Sequence, residues 1–256
     1  MEKSKLNISV VSYLNSLPFV AGLEQEKIKQ QYNISKDIPS ICAEKVINGS
    51  ADIGLMPIAM LPKVKGGNVI TDYCISANGE VGSVLLVSND PLEEIEVITK
   101  DNESRTSVTL ARILIENHWK KEVTWKEESD HFLDLQKNEG LVIIGDRALK
   151  YSSQFKYVYD LAGEWKKFTG LPFVFACWIA NKAIDNEDIK NLNESFSEGL
   201  KHRNEIAKKI ETGHPTISTL SYLKEYIKYD LNEEAKKGMN LFLEMMNQIE
   251  SSFISR

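Results

Sequence analysis

The chain has 256 residues, 42% of them hydrophobic, and a net charge of −6 at neutral pH, which suits a soluble globular protein of one large domain or two lobes. Acidic and basic residues are interspersed, so we expect no basic face for nucleic acid or for an anionic membrane. The three cysteines, Cys42, Cys74 and Cys177, form neither a CxxC pair nor a disulfide framework, which favours a reducing compartment.

The N-terminal segment has the basic start of a secretory signal but lacks its other parts. Asn7, Ser9 and Ser12 interrupt any apolar region, and no small-residue cleavage site follows. No run approaches the roughly 20 apolar residues that span a bilayer. These features predict a cytoplasmic protein.

Strands and helices alternate in the first third of the chain. "KLNISVVSY" reads as a strand, and Pro18 suits the first turn of a helix through "PFVAGLEQEKIKQ". Ser40 is expected to cap a second helix that Gly49 ends, and the short strand in "ADIGLMPIAML" precedes another helix. A further strand, "VITDYCIS", follows. The alternation predicts an α/β layer with parallel strands.

The middle of the chain shows the same alternation of predicted strands and helices over a shorter length. "VGSVLLVS" and "EVITK" read as strands, "NESRTSVTLARILIENHW" has helical spacing, and "EVTWKE" is a further strand. "DHFLDLQKNEG" reads as a capped helix ending at Gly140. The buried strand "LVIIG" then leads into a short helix with Asp146 at its start.

Two long apolar runs, residues 81–88 and 171–180, bracket this middle unit. They predict two lobes joined by two crossing strands. The outer lobe comprises 1–88 and 171–256, and the inner lobe comprises 89–170. The end of the chain is expected to be helical and packed on the outer lobe, with helices at about 185–210, 215–229 and 231–250.

Ligands of open α/β sheets bind beyond the carboxyl ends of the strands. The residues expected at those ends are mostly neutral hydrogen-bond donors. They are Tyr13, Asn15 and Met56 from the first strands, Ser83 from the bridging run, and Ser104, Arg105, Thr106, Ser107, Gly145 and Asp146 from the inner lobe.

Ser104 to Ser107 lie at a predicted helix N-terminus, where free N–H groups and the helix dipole favour an anion. Carboxylate or phosphate binding is one interpretation, and simple N-capping by one serine is the other. Arg105 would either clamp a carboxylate through two hydrogen bonds or point into water. Asp146 would either cap its helix or touch the ligand.

Several common active-site motifs are missing. The sequence has no GxGxxG after a strand, no Walker A sequence, no HExxH and no GxSxG. The histidines His118, His131, His202 and His214 are far apart and have no cysteine partner at metal-ligand spacing. We therefore predict neither a cofactor nor a metal.

Six segments occur in the order seen in the chorismate dehydratase family, which the chain resembles from about residue 6 to 181. They are "SYLNSLPF", "NGSADIGLMP", "VGSVLL", "SRTSVTLARIL", "LVIIGDRAL" and "DLAGEWKKFTGLPFVFACWIA". The helical tail matches in character only. The resemblance implies a type 2 periplasmic-binding-protein-like fold with the active site between the lobes. It implies a hydro-lyase of menaquinone biosynthesis by the futalosine pathway.

The family converts chorismate, a dicarboxylate, to 3-[(1-carboxyvinyl)oxy]benzoate and water without a cofactor. Asn15 resembles the family's active-site asparagine, but a neutral amide is a poor base. We hypothesise that the enolpyruvyl carboxylate of the substrate removes the proton while Asn15, Tyr13 and Ser83 orient it. The open alternatives are a cytoplasmic small-carboxylate binding protein, the related dihydroxynaphthoate synthase and an effector-sensing regulator.

Overall fold

Two β-sheets with helices packed on them form the two lobes of the molecule. The computed structural model describes residues 5–102, 104–128 and 133–254. The strands are β1 (Leu6–Val11), β2 (Tyr32–Asp37), β3 (Ile53–Pro57), β4 (Asn68–Ala77), β5 (Val84–Ser88), β6 (Val97–Thr99), β7 (Thr124–Lys126), β8 (Glu139–Ile144), β9 (Tyr157–Asp160), β10 (Phe173–Ala180) and β11 (Lys228–Asp230).

The outer sheet has six strands in the order β11-β4-β10-β3-β1-β2. Strand β1 pairs in parallel with β2 and β3, whereas β10 pairs antiparallel with β3 and β4. The inner sheet has five strands in the order β7-β6-β8-β5-β9. Strand β6 pairs in parallel with β7 and β8, whereas β5 pairs antiparallel with β8 and β9. Both sheets are therefore mixed rather than purely parallel.

Ten α-helices connect or cover these strands in the described part of the chain. They are α1 (Leu17–Leu23), α2 (Glu26–Gln31), α3 (Pro39–Asn48), α4 (Arg105–Ile113), α5 (Gly145–Tyr151), α6 (Leu161–Thr169), α7 (Asn186–Lys201), α8 (Arg203–Ala207), α9 (Thr219–Ser221) and α10 (Glu233–Ile254). Two π-helical turns, Leu114–His118 and Tyr222–Tyr226, extend α4 and α9.

Local sequence explains where several helices begin and end. Gly49 ends α3 at a φ of 82°, a left-handed conformation that glycine adopts without a Cβ clash. Ser104 caps α4 by accepting a hydrogen bond from the Ser107 N–H. Asp160 caps α6 in the same way by accepting from the Gly163 N–H. At α3 the predicted Ser40 cap is wrong, since the helix already begins at Pro39.

Several predicted elements differ in the structure. The segment predicted as one helix after Pro18 forms both α1 and α2, and the predicted helix over 215–229 ends as strand β11. Residues 58–63 form a 3₁₀ helix. Strands β2 and β9 and helix α6 were not predicted. Gly140 lies within β8, and residues 133–138 before it are not helical; His131 lies outside the described residues.

The chain passes between the sheets at the start of each long apolar run. Residues 78–83 lead into the inner sheet, and α6 with residues 170–172 leads back. The sequence assigned 84–88 to the outer lobe, but its pairing with β8 and β9 places this segment in the inner sheet. The boundary between the two lobes depends on which strands pair with each other, and the local sequence pattern does not contain that information.

An aromatic cluster joins the two ends of the chain in the outer lobe. Trp178 of β10 stacks on Phe196 of α7 at 4.4 Å between ring centroids, and Phe19 of α1 packs edge-on against Trp178. Tyr229 of β11 also meets Phe19, at 5.3 Å. The long helix α10 packs against β10 and also reaches α4 of the inner lobe. The tail of the chain thus supports both lobes.

Helices α1 and α7 approach each other closely at two glycines. A Cβ on Gly199 would lie 2.0 Å from the Pro18 carbonyl oxygen, and one on Gly22 would lie 2.1 Å from the Ser195 carbonyl oxygen. Such distances are possible only without side chains, so these glycines set the spacing of the two helices.

We expect Gly199→Ala to lower the free energy of unfolding by about 1–3 kcal/mol, because the methyl group forces the helices apart. In an unconstrained helix the same change raises the free energy of unfolding by about 0.5–1 kcal/mol. The sign of the change therefore shows whether the two helices are in close contact at Gly199. Urea unfolding monitored by circular dichroism measures it. Ser197→Ala, on the exposed face of the same helix, is the control. A stabilised Gly199→Ala variant would show that the close contact is absent.

Candidate active site

One cleft lies between the lobes and is lined by residues of both. It opens at the carboxyl ends of β1 and β3 in the outer sheet and of β8 in the inner sheet. Apolar side chains line much of it, including Val11, Leu55, Ile144 and Phe175. A mostly apolar lining with a few placed polar groups is typical of small-molecule sites.

Six of the ten predicted site residues line this cleft. They are Tyr13, Asn15, Ser83, Ser104, Ser107 and Gly145. They come from both lobes and from segments far apart in the chain. The structure therefore brings these predicted residues together at one cleft, while the function of each residue there stays a proposal.

The N-terminal ends of four helical segments face the cleft. Pro39 begins α3, Gly145 begins α5, and Ser104 caps α4, while Asn15 lies in the 3₁₀ turn that leads into α1. This convergence follows from the topology, since a helix that follows a parallel strand begins at the carboxyl edge of the sheet. Free N–H groups and positive dipole ends therefore point towards the same space.

Among the residues that the structure describes, the lining side chains of the cleft include no Asp, Glu, Lys, Arg or His. Ser104 and Ser107, which are both buried, provide a pair of hydroxyl donors for an anion. Their Oγ atoms lie 2.9 Å apart, so one hydroxyl donates to the other. The second hydroxyl hydrogen is left over for a ligand. Ser104 thus caps the helix and also faces the cleft, and the two interpretations of this motif are compatible.

Gly145 has a positive φ of 58° and turns the chain sharply from β8 into α5. A Cβ at this position would lie 3.4 Å from the Tyr13 ring. The Gly145 N–H donates to the Ser83 carbonyl oxygen at 2.8 Å. The positive φ favours glycine here, since the Tyr13 ring would meet a Cβ only at ordinary contact distance, and the Gly145 backbone fixes the segment that carries Ser83.

A buried hydrogen-bond network holds Asn15 and Ser83 from behind. The Tyr222 hydroxyl donates to the Ser83 Oγ at 2.8 Å. The Tyr229 hydroxyl donates to the Asn15 carbonyl oxygen at 2.9 Å. Burial raises the pKa of both phenols, so both stay protonated at neutral pH.

Sequence reasoning missed these two tyrosines. They lie in a segment in which the sequence shows no recognised motif. The pattern there predicts ordinary apolar positions of a helix. The available signal was a tyrosine-rich stretch with three phenols, Tyr222, Tyr226 and Tyr229, close to the end of the chain. Nothing in that pattern indicates a partner about 140 or 210 residues earlier.

Met56 was predicted for the cleft but lies on the other face of β3. Its neighbours Leu55 and Pro57 line the cleft, whereas Met56 is fully buried in the core. Successive side chains of a strand point to opposite faces, so an error of one residue reverses the face.

Arg105 lies outside the cleft, although its helix begins there. Its exposed side chain lines a separate groove of about 950 Å³ with Lys63, Lys100 and Arg112. Residues one apart on a helix point about 100° away from each other, which turns Arg105 away from the face of Ser104 and Ser107. The structure thus favours the interpretation in which the guanidinium points into water.

Thr106 and Asp146 connect the lobes instead of lining the cleft. The Ala59 N–H donates to the Thr106 Oγ1 at 3.2 Å, and the Leu14 N–H donates to an Asp146 carboxyl oxygen at 3.3 Å. Partial burial of Asp146 raises its pKa, and the Leu14 N–H opposes that rise. The predicted N-cap role of Asp146 is wrong, because Ile144 is the N-cap of α5.

Asp160 fixes the crossing segment beside Ser83. One carboxyl oxygen accepts from the N–H groups of Val81 at 2.9 Å and Gly82 at 2.7 Å, and the other accepts from Gly163 at 2.9 Å. Burial raises the pKa of this carboxyl to about 6, while the three N–H groups favour the charged form. The residue stands in the "DLAGEW" segment, where sequence reasoning assigned it no role.

Within the described ranges, no three His, Cys, Asp or Glu side chains come together in an arrangement that could hold a metal ion. A search of the same residues for a helix long and apolar enough to cross a membrane found none.

Solved structures with the same architecture are two-lobed binding proteins and their relatives. Archaeoglobus fulgidus protein AF1704 matches with a TM-score of 0.76 at 10% identity, covering 98% of this chain and 99% of that one. The periplasmic aliphatic sulphonate binding protein SsuA of Escherichia coli matches with a TM-score of 0.64 at 16% identity, covering 97% and 94%. The fold is therefore of the periplasmic-binding-protein type.

A family model described as "Menaquinone biosynthesis" matches residues 6–248, and the chain belongs to that family. The chorismate dehydratase of Campylobacter jejuni is 29% identical over 188 residues, which are 70% of this chain and 70% of that protein. The chorismate dehydratase of Thermus thermophilus is 24% identical over 250 residues, covering 89% and 91%.

Proposed function

We propose that the protein is a chorismate dehydratase, a hydro-lyase that converts chorismate to 3-[(1-carboxyvinyl)oxy]benzoate and water in menaquinone biosynthesis. The observation that carries the proposal is a cleft between the lobes that is lined by N-terminal ends of several helices and, within the described ranges 5–102, 104–128 and 133–254, by no charged side chain. Membership of the menaquinone biosynthesis family and the two chorismate dehydratase relatives support it.

The two carboxylates of chorismate match two groups of donors in the cleft. The N-terminus of α4, with the hydroxyls of Ser104 and Ser107, would bind the ring carboxylate. Tyr13, Asn15 and Ser83 on the opposite side would orient the enolpyruvyl carboxylate and the leaving hydroxyl. Charge develops on the ring carboxylate as the proton on ring carbon 3 leaves, and fixed donors stabilise that charge most when water is excluded.

The proton acceptor in this proposal is the enolpyruvyl carboxylate of the substrate. It lies next to ring carbon 3 and takes the proton from it. The electron pair of that C–H bond enters the ring, and hydroxide departs from carbon 4 with the electrons of the C–O bond. The transferred proton and the hydroxide together make the released water. Correct positioning of such an intramolecular base lowers a barrier by up to about 7–11 kcal/mol.

In the part of the chain that the structure describes, no carboxylate, imidazole or amine lines the cleft, and this supports the assignment. Asn15 is a neutral amide, and burial keeps the phenol of Tyr222 protonated. The Asp146 carboxyl is not among the lining groups and accepts a hydrogen bond from the Leu14 N–H. The protein contributes orientation and electrostatic stabilisation in this mechanism.

We further propose that the enzyme acts in the cytoplasm on a small dicarboxylate, without a cofactor, a nucleic acid or a membrane as partner. All three cysteines are free and buried. Cys74 and Cys177 face each other on neighbouring strands as thiols, which suits a reducing compartment.

Incubation of the purified protein with chorismate, followed by mass spectrometry of the small molecules, tests the function. Loss of one water molecule from chorismate at an enzyme-dependent rate is the expected result. Intact chorismate in a tight complex would instead show a binding protein, and chorismate that neither binds nor reacts would overturn the proposal.

Asn15→Asp tests whether the substrate supplies the base. We expect turnover of chorismate to fall by at least about 100-fold, because a second negative charge beside the substrate carboxylate repels it. Steady-state kinetics measures the change. Asn33→Asp, which adds the same charge at an exposed position, is the control. A faster Asn15→Asp enzyme would identify a protein base instead.

Ser107→Ala and Arg105→Ala test which side of α4 binds the substrate. We expect Ser107→Ala to raise KM for chorismate about tenfold, since it removes a hydrogen bond to a carboxylate. Arg105→Ala should change KM by less than about threefold, because its side chain lies in the separate groove. An equal rise in both variants would place the guanidinium at the substrate.

A further inference from the structure

The segment from Tyr222 to Tyr229 lies beneath the cleft and begins with a π-helical turn. Tyr222 is 1% exposed and begins the π-helical turn Tyr222–Tyr226, in which the Ile227 N–H donates to the Tyr222 carbonyl oxygen. π-helical turns are rare and frequent at functional sites. Here the turn places the Tyr222 hydroxyl against the Ser83 Oγ.

The hydrogens in this network have defined directions. A phenol has one hydrogen, and that of Tyr222 goes to the Ser83 Oγ at 2.8 Å. The Tyr229 hydroxyl likewise donates to the Asn15 backbone carbonyl oxygen at 2.9 Å. Both buried phenols therefore donate towards loops that carry the site.

The hydroxyl hydrogen of Ser83 is then left to point into the cleft. Its Oγ already accepts from Tyr222, and in the part of the chain that the structure describes it has no further partner. Ser83 lines the cleft. An O–H group that accepts a hydrogen bond becomes a stronger donor in turn, so the bond from Tyr222 polarises the Ser83 hydroxyl towards the ligand.

We infer that Tyr222 is a positioning residue for the dehydration, which directs the Ser83 hydroxyl towards the departing hydroxyl of the substrate. The inference rests on the proposed function. It adds a role for a residue that lines no part of the cleft. Departing hydroxide needs a donor that is already oriented, because reorientation during the reaction would cost part of the stabilisation.

Tyr222→Phe removes the hydroxyl and keeps the ring. We expect kcat for chorismate to fall about 10- to 100-fold, with KM changed by less than about threefold, because the lost orientation matters most in the transition state. Tyr32→Phe is the matched control, since Tyr32 is also buried and its hydroxyl donates to Asp188 at 2.9 Å, away from the cleft. Thermal unfolding of both variants measures the loss of stability alone.

A double-mutant cycle with Ser83→Ala tests whether Tyr222 acts through Ser83. If it does, Tyr222→Phe should lower kcat by less than about threefold in the Ser83→Ala background. Independent multiplication of the two losses would overturn the link to Ser83. Equal falls of kcat in Tyr222→Phe and Tyr32→Phe would reduce Tyr222 to a structural residue.

The outcomes separate this role from the proposed function. If the wild-type protein releases water from chorismate and Tyr222→Phe keeps the wild-type kcat, only the role of Tyr222 is overturned. If the wild-type protein leaves chorismate unchanged, the proposed function fails, and the role defined for that reaction fails with it.

Discussion

A dicarboxylate loses its hydrogen bonds to water when it enters a cleft. If the cleft has no charged side chains, fixed N–H and O–H groups must replace those hydrogen bonds. The fold supplies such groups through its topology. Strands that run in parallel end at one edge of each sheet, and the helices that follow them begin there with unpaired N–H groups. Facing the two edges towards each other gathers donors from four helical segments in one space.

These donors act together only if the lobes keep their relative position. The Ala59 N–H on Thr106 and the Leu14 N–H on Asp146 join the two lobes. The Gly145 N–H on the Ser83 carbonyl and two N–H groups on Asp160 fix the crossing segment to the inner lobe. Each uses a buried or half-buried polar group whose loss would leave an unsatisfied partner. The same contacts therefore stabilise the fold and set the geometry of the cleft.

A site without charged side chains also explains why, in the proposed reaction, the substrate supplies the base and the protein supplies orientation. Elimination from chorismate yields an aromatic ring, so the substrate carries much of the driving force, and it carries a carboxylate beside the acidic hydrogen. A charged protein base in the same cleft would repel both carboxylates. Amide, hydroxyl and phenol groups, held by the buried Tyr222 and Tyr229, orient the substrate without that repulsion.

The sequence by itself determined the elements and loops that carry the site, because apolar periodicity, helix caps such as Ser104, and turns such as Gly49 are local properties. Only the tertiary structure decided which side chains face the cleft. On β3, Leu55 and Pro57 face the cleft and Met56 faces the core, because successive side chains of a strand alternate between faces. On α4, successive residues point about 100° apart, and Arg105 faces another groove. Tyr222 and Tyr229 entered the site by long-range packing, for which a local pattern contains no signal.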